Sequence, residues 1–131
     1  MYTVFKRVLL ASIAMLFILP VFAISIIPCP LEMKETGGRL VLPGRMLLYF
    51  KGECEKEIEY LEQKLATHFL ITAKNIRNRR KADIKFNIDT LQNLILGKEG
   101  YRLVINRKGI HITAAGTAGI FYGIQTVLQL I

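Results

Sequence analysis

The sequence contains no tryptophan and, in 131 residues, only two cysteines and two histidines. Neither His68 nor His111 lies near a cysteine in the chain, so a zinc site built from these residues is not expected. No other metal site and no cofactor is expected either. Acidic residues are scarce, 10 against 18 basic ones. There is no internal repeat and no low-complexity stretch, which excludes solenoid and linker-like chains. Cys29 and Cys54 stand at no special spacing. An oxidising compartment would permit a disulfide between them, and two small buried thiols are the alternative.

Apolar character is abundant, at 52% of residues, which is too high for a disordered chain. Part of it belongs to the N-terminus. Lys6 and Arg7 precede a run from Val8 to Leu19 that is apolar except for Ser12. Pro20 ends that run, and Val21-Phe22-Ala23 forms a cleavage triplet before Ile24. This is the layout of a secretory signal peptide over residues 1–23. A retained membrane anchor is the competing reading. The expected location is exported, periplasmic or extracellular, with membrane contact only through the signal peptide.

Removing Lys6 and Arg7 leaves 16 basic residues against 10 acidic ones. Many of the basic residues lie in "KNIRNRRK", Lys74 to Lys81. No aromatic residue is interleaved there to stack on bases, so the segment reads as a solvated loop and no nucleic-acid partner is expected.

The rest of the chain carries element patterns. Leu31 to Glu35, Arg39 to Leu42 and Met46 to Phe50 read as short strands, with turn signals at Gly37-Gly38 and Pro43-Gly44. Over Glu53 to Ile71, Ile58, Leu61, Leu65 and Phe69 recur at helical steps. Glu53, Glu55 and Glu57 occupy its first turn, where the helix dipole favours negative charge. His68 falls at the edge of the apolar stripe, with no acid or serine to make it catalytic. Ile84, Phe86 and Ile88 alternate with polar residues as a strand. Tyr101, Leu103 and Ile105, then Ile110, Ile112 and Ala114, form two arms around Lys108-Gly109. The expected fold is α+β: a mixed or antiparallel sheet with two helices packed on one face.

The terminal segment from Gly116 to Ile131 is a helix that is apolar nearly all round. Ile120, Ile124, Val127, Leu128 and Ile131 form one stripe, and Phe121, Tyr122 and Leu130 widen it. At 14 residues, Ala118 to Ile131 is too short to span a bilayer. Such a helix is normally covered on more than one side. The residues assigned to docking against a second domain are Gly119, Ile120, Phe121, Tyr122, Gly123, Ile124, Val127 and Leu128. No stop signal precedes Ile131, so a continuing chain is expected.

Four stretches carry a resemblance: "IIPCP" at Ile26 to Pro30, "EGYRLVI" at Glu99 to Ile105, "KGIHITA" at Lys108 to Ala114 and "AGIFYGIQTVLQL" at Ala118 to Leu130. Together they resemble the N-terminal domain of bacterial β-N-acetylhexosaminidases of glycoside hydrolase family 20, with Val127 in place of the usual leucine. Family 84 hexosaminidases carry a similar front domain. The resemblance implies residues 24–131 as an α+β domain docked in cis to a catalytic TIM barrel that this chain lacks. It also implies an exo-enzyme that removes β-linked N-acetylglucosamine or N-acetylgalactosamine by a substrate-assisted route. The family's catalytic Asp-Glu pair follows a His-x-Gly-Gly stretch, and this sequence contains neither. Its acids outside the helix, such as Asp83, Asp89 and Glu99, sit at strand ends, and no catalytic residue is assigned. Amino-sugar glycans are thus expected to concern this chain only indirectly. The competing reading is a freestanding exported module that binds a glycan or a protein.

Overall fold

The computed structural model describes residues 32–34 and 39–131. The expected signal peptide, the Pro-rich entry and Cys29 lie outside the described residues, so the expected Cys29–Cys54 pairing does as well.

Five strands and three helices follow in order: β1 (Arg45–Tyr49), α1 (Glu55–Phe69), β2 (Thr72–Asn75), β3 (Ile84–Ile88), α2 (Asn93–Leu96), β4 (Tyr101–Asn106), β5 (Gly109–Ala114) and α3 (Thr117–Leu130). Short 3-10 turns at Arg79–Lys81 and Thr90–Gln92 complete the connections. The strands form one sheet in the order β2-β1-β3-β5-β4. Three pairings are parallel, and β4–β5 is antiparallel. The fold is therefore α+β with a mixed sheet, and α1 and α3 cover one face.

Period-two alternation explains which side is covered. Met46 and Leu48 of β1, Ile84 and Phe86 of β3, and Ile110 and Ile112 of β5 are buried on the helix side. Ile58, Leu61 and Leu65 from α1 meet them, with Ile120, Ile124 and Val127 from α3. Each such side chain contributes about 1.5–3 kcal/mol on leaving water, so these twelve positions dominate the stability of a small domain.

Helix α1 starts after Cys54, with Glu55 and Glu57 in its first turn. It stops at Leu70, which adopts the left-handed conformation (φ 56°) and lets the Ile71 N–H bond the Leu65 carbonyl at 3.0 Å. That conformation costs a non-glycine residue about 1–2 kcal/mol, but it turns buried Ile71 directly into β2. Asp83 extends the β1–β3 seam: its Oδ2 accepts the Leu47 N–H at 2.7 Å, and its own N–H bonds the Leu47 carbonyl. Gly109 has φ 117°, and a Cβ there would collide with the Asp83 carbonyl.

Several expected elements differ. Arg39 to Leu42 is irregular rather than a strand, and so are residues 32–34. Leu40 and Leu42 lean on the core without entering the sheet. The expected basic loop begins inside β2, since Lys74 and Asn75 pair with Leu47 and Leu48. Glu53 precedes α1 instead of occupying its first turn. The connection over residues 90–96 is helical, with Leu91, Leu94 and Ile95 exposed.

Candidate functional site: the outer face of the terminal helix

The eight docking positions fall into two groups. Gly119, Ile120, Gly123, Ile124 and Val127 are buried against the domain's own sheet. A Cβ on Gly119 would clash with the Gly100 carbonyl and lie 2.7 Å from the Ala114 Cβ. One on Gly123 would lie 2.7 Å from Ile112 Cγ2. These glycines let α3 sit close on β4 and β5. They are not placed to receive a second domain, because the sheet already occupies the space above them. Thr126 is buried on the same side and hydrogen-bonds the Tyr101 hydroxyl.

Phe121, Tyr122 and Leu128 keep accessible surface. Phe121 is 37% exposed, and Leu130 and Ile131 are exposed beyond it. The rings are organised across the two helices. Phe121 stands 5.5 Å from Tyr60 of α1, centroid to centroid, and 6.0 Å from Tyr122. Gln125 Nε2 donates to the Tyr60 hydroxyl at 3.0 Å. Lys64 Nζ lies 5.5 Å from the Tyr60 centroid, within cation–π range. The result is an aromatic ridge with a polar rim along the seam between α1 and α3. Interface centres elsewhere are enriched in such aromatic residues. Sequence reasoning missed Tyr60, Lys64 and Gln125. The available signal was an aromatic residue beside the Ile58-Leu61-Leu65 stripe of α1 rather than in it.

Groups capable of chemistry are dispersed. Among the described residues no three His, Cys, Asp or Glu side chains cluster as metal ligands. Cys54 is buried, and burial, then Glu55 and Glu57, push its thiol up to about 11, so little nucleophilic thiolate forms near neutral pH. Burial and nearby Glu59 raise Glu62, while Asn75 donates to it at 2.9 Å and opposes the shift. A cavity of about 270 Å³ lies between Leu40–Pro43 and the Arg107–Gly109 turn. Its carboxylate, Asp83, is the one that holds the Leu47 N–H. No described helix is long and apolar enough to cross a membrane.

The family model for glycosyl hydrolase family 20, domain 2, matches residues 23–131. The chain belongs to this family. The family 20 domain is 32% identical over 111 residues to a β-hexosaminidase of Porphyromonas gingivalis, covering 82% of this chain and 14% of the relative. It is 37% identical over 49 residues to a lacto-N-biosidase of Bifidobacterium bifidum, covering 37% of this chain and 4% of that protein. The crystal structure of a β-N-acetylhexosaminidase from Bacteroides fragilis matches with a TM-score of 0.68 at 27% identity, over 79% of this chain and 20% of that one. An exo-β-N-acetylglucosaminidase from Vibrio harveyi shares the fold, with a TM-score of 0.70 at 17% identity over 80% of this chain and 16% of that one. The family 20 domain thus spans about a seventh to a fifth of the length of these two hexosaminidase relatives.

Proposed function

We propose that this chain is the non-catalytic N-terminal domain of an exported β-N-acetylhexosaminidase, whose full-length form removes terminal β-linked N-acetylglucosamine or N-acetylgalactosamine. The observation that carries this reading is the family match over residues 23–131, in a chain that spans a small fraction of hexosaminidase relatives. Its role is to support a catalytic barrel in cis, with the Tyr60–Phe121–Tyr122 ridge as the docking centre. Phe121, Tyr122 and Leu128 serve the interface, and the buried part of α3 holds the ridge rigidly on the sheet. Export through residues 1–23 belongs to the same reading and rests on the charge, apolar run and cleavage triplet of that segment.

Incubating the purified chain with a chromogenic β-N-acetylglucosaminide tests the first claim. No turnover above a heat-inactivated control is expected, and clear turnover would overturn the non-catalytic role. Mass spectrometry of exported material should find a mature N-terminus at Ile24, and an intact Met1 would refute cleavage.

A further inference from the structure

The sheet face opposite the helices has a charge pattern that the docking role does not use. None of the five strands contains an aspartate or a glutamate. All four cationic residues of the strands, Arg45, Lys74, Lys85 and Arg102, fall on this helix-free face by alternation with the buried positions. Five of the ten acids lie instead between Glu53 and Glu62, in and just before α1, which packs on the other face. The domain is thus electrically two-sided.

Register places the outward residues in rows. Tyr49 pairs with Lys85, Lys85 with His111, and His111 with Val104, so one row crosses four strands. With strands about 4.8 Å apart, that row is about 15 Å long, the reach of a short oligosaccharide. Asn87, Thr113 and Arg102 form the next row. Lys85 gives one of its three N–H donors to the Ala82 carbonyl at 2.6 Å, which fixes the ammonium and leaves two donors. Asp83, the acid that immediately precedes β3, has Oδ2 engaged by the Leu47 N–H. Cations, one of them fixed, with amide and hydroxyl groups and one aromatic ring on one sheet face match a sugar polymer that carries anionic groups.

We propose that this face binds an acidic glycan, with Lys74, Lys85 and Arg102 meeting its carboxylate or sulfate groups and Tyr49 lying against a sugar ring. The choice of a glycan rests on the carbohydrate-hydrolase reading above, whereas the anionic requirement rests on the strands alone. The site is separate from the aromatic ridge, so a barrel docked on the helices would leave it open. It would hold the enzyme on a charged glycan while chain ends are processed elsewhere.

The test uses the full chain and measures binding to heparin by calorimetry, with neutral dextran, poly-glutamate and phosphatidylserine vesicles as comparison probes. Binding is read without hydrolysis, so its failure leaves the hydrolase-domain reading untouched. Heparin is expected to bind and dextran is not. Replacing two exposed contacts and the half-buried Lys85 at roughly two- to threefold each, the K74Q/K85Q/R102Q variant should bind about tenfold more weakly. Tyr49→Ser should weaken heparin binding with no change in charge. A control of equal charge loss, K51Q/K56Q/K98Q, should bind within about twofold of the parent. Equal losses in the two triple variants, or no heparin binding, would overturn the proposal. Equal affinity for poly-glutamate would remove the glycan, and tighter binding to vesicles would point to a membrane surface instead. Should the triple variant misfold, Lys74→Gln and Arg102→Gln, both at exposed positions, give the same reading singly.

Discussion

Helices α1 and α3 lie on the same sheet and are nearly equal in length, yet their outer faces differ. Helix α1 buries Ile58, Leu61 and Leu65 and turns Glu55, Glu59 and Lys56 to water. Helix α3 buries six residues, has no charged side chain and still exposes Phe121 and Leu130. An amphipathic helix is complete once one side is covered, whereas an apolar one requires cover on two. The difference leaves α1 with a charged outer side apart from Tyr60, and α3 with core on one side and exposed apolar surface on the other.

The largest test of this comparison concerns the inner faces, where the two helices should behave alike. Leu61→Ala in α1 and Ile124→Ala in α3 should each cost about 2–5 kcal/mol, since both residues are fully buried. Urea unfolding monitored by circular dichroism measures this, and a loss confined to one helix would break the equivalence. A smaller effect separates α3 from α1. Gly119→Ala should cost about 1–3 kcal/mol by forcing α3 away from Gly100 and Ala114, although alanine is the better helix former. An unchanged or raised unfolding midpoint would show that α3 does not need its close approach.

The outer faces should then diverge. Phe121→Ser removes two ring pairs, with Tyr60 and with Tyr122, and should cost about 1–3 kcal/mol of stability. It should nevertheless lower self-association and hydrophobic-dye binding of the isolated chain, because a large apolar side chain leaves the exposed ridge. Glu59→Ser on α1 should change neither. Sedimentation velocity on the two variants makes the comparison, and a parent chain that is monomeric and dye-free would contradict an interface on α3.

The smallest effect contrasts the helix layer with the bare sheet face. Burial, then the charges on Lys85 and Arg79, hold His111 below its usual imidazole range. The unfolded chain therefore takes up this proton more readily than the folded one. The His111 contribution should be constant above the unfolded value near 6.5, with stability falling as pH drops through that value and the loss levelling off below the folded one. His111→Asn should flatten that part of the profile in denaturant titrations between pH 7.5 and 5. An unaltered profile would show that neither burial nor the cationic neighbours lower His111 in the fold.

Sequence alone determined the elements whose faces are written in their own spacing. The three- and four-residue steps of Ile58, Leu61 and Leu65 are α1, and the alternation of Ile84, Phe86 and Ile88 is β3. The Lys108-Gly109 turn is the β4–β5 hairpin, and the terminal motif led to the family. Those signals are local, because each records how one segment divides its side chains between core and water. Tertiary structure decided what needs a partner. Thr72–Asn75 has no large apolar residue to betray it and is a strand because β1 supplies its hydrogen bonds. Arg39 to Leu42 has the strand pattern but no place in the sheet. Gly119 and Gly123 read as a docking surface until β4 and β5 are seen beneath them. The cationic face likewise exists only in the register, where parallel pairing brings in Lys74 and Lys85 and the antiparallel β4–β5 hairpin brings in Arg102.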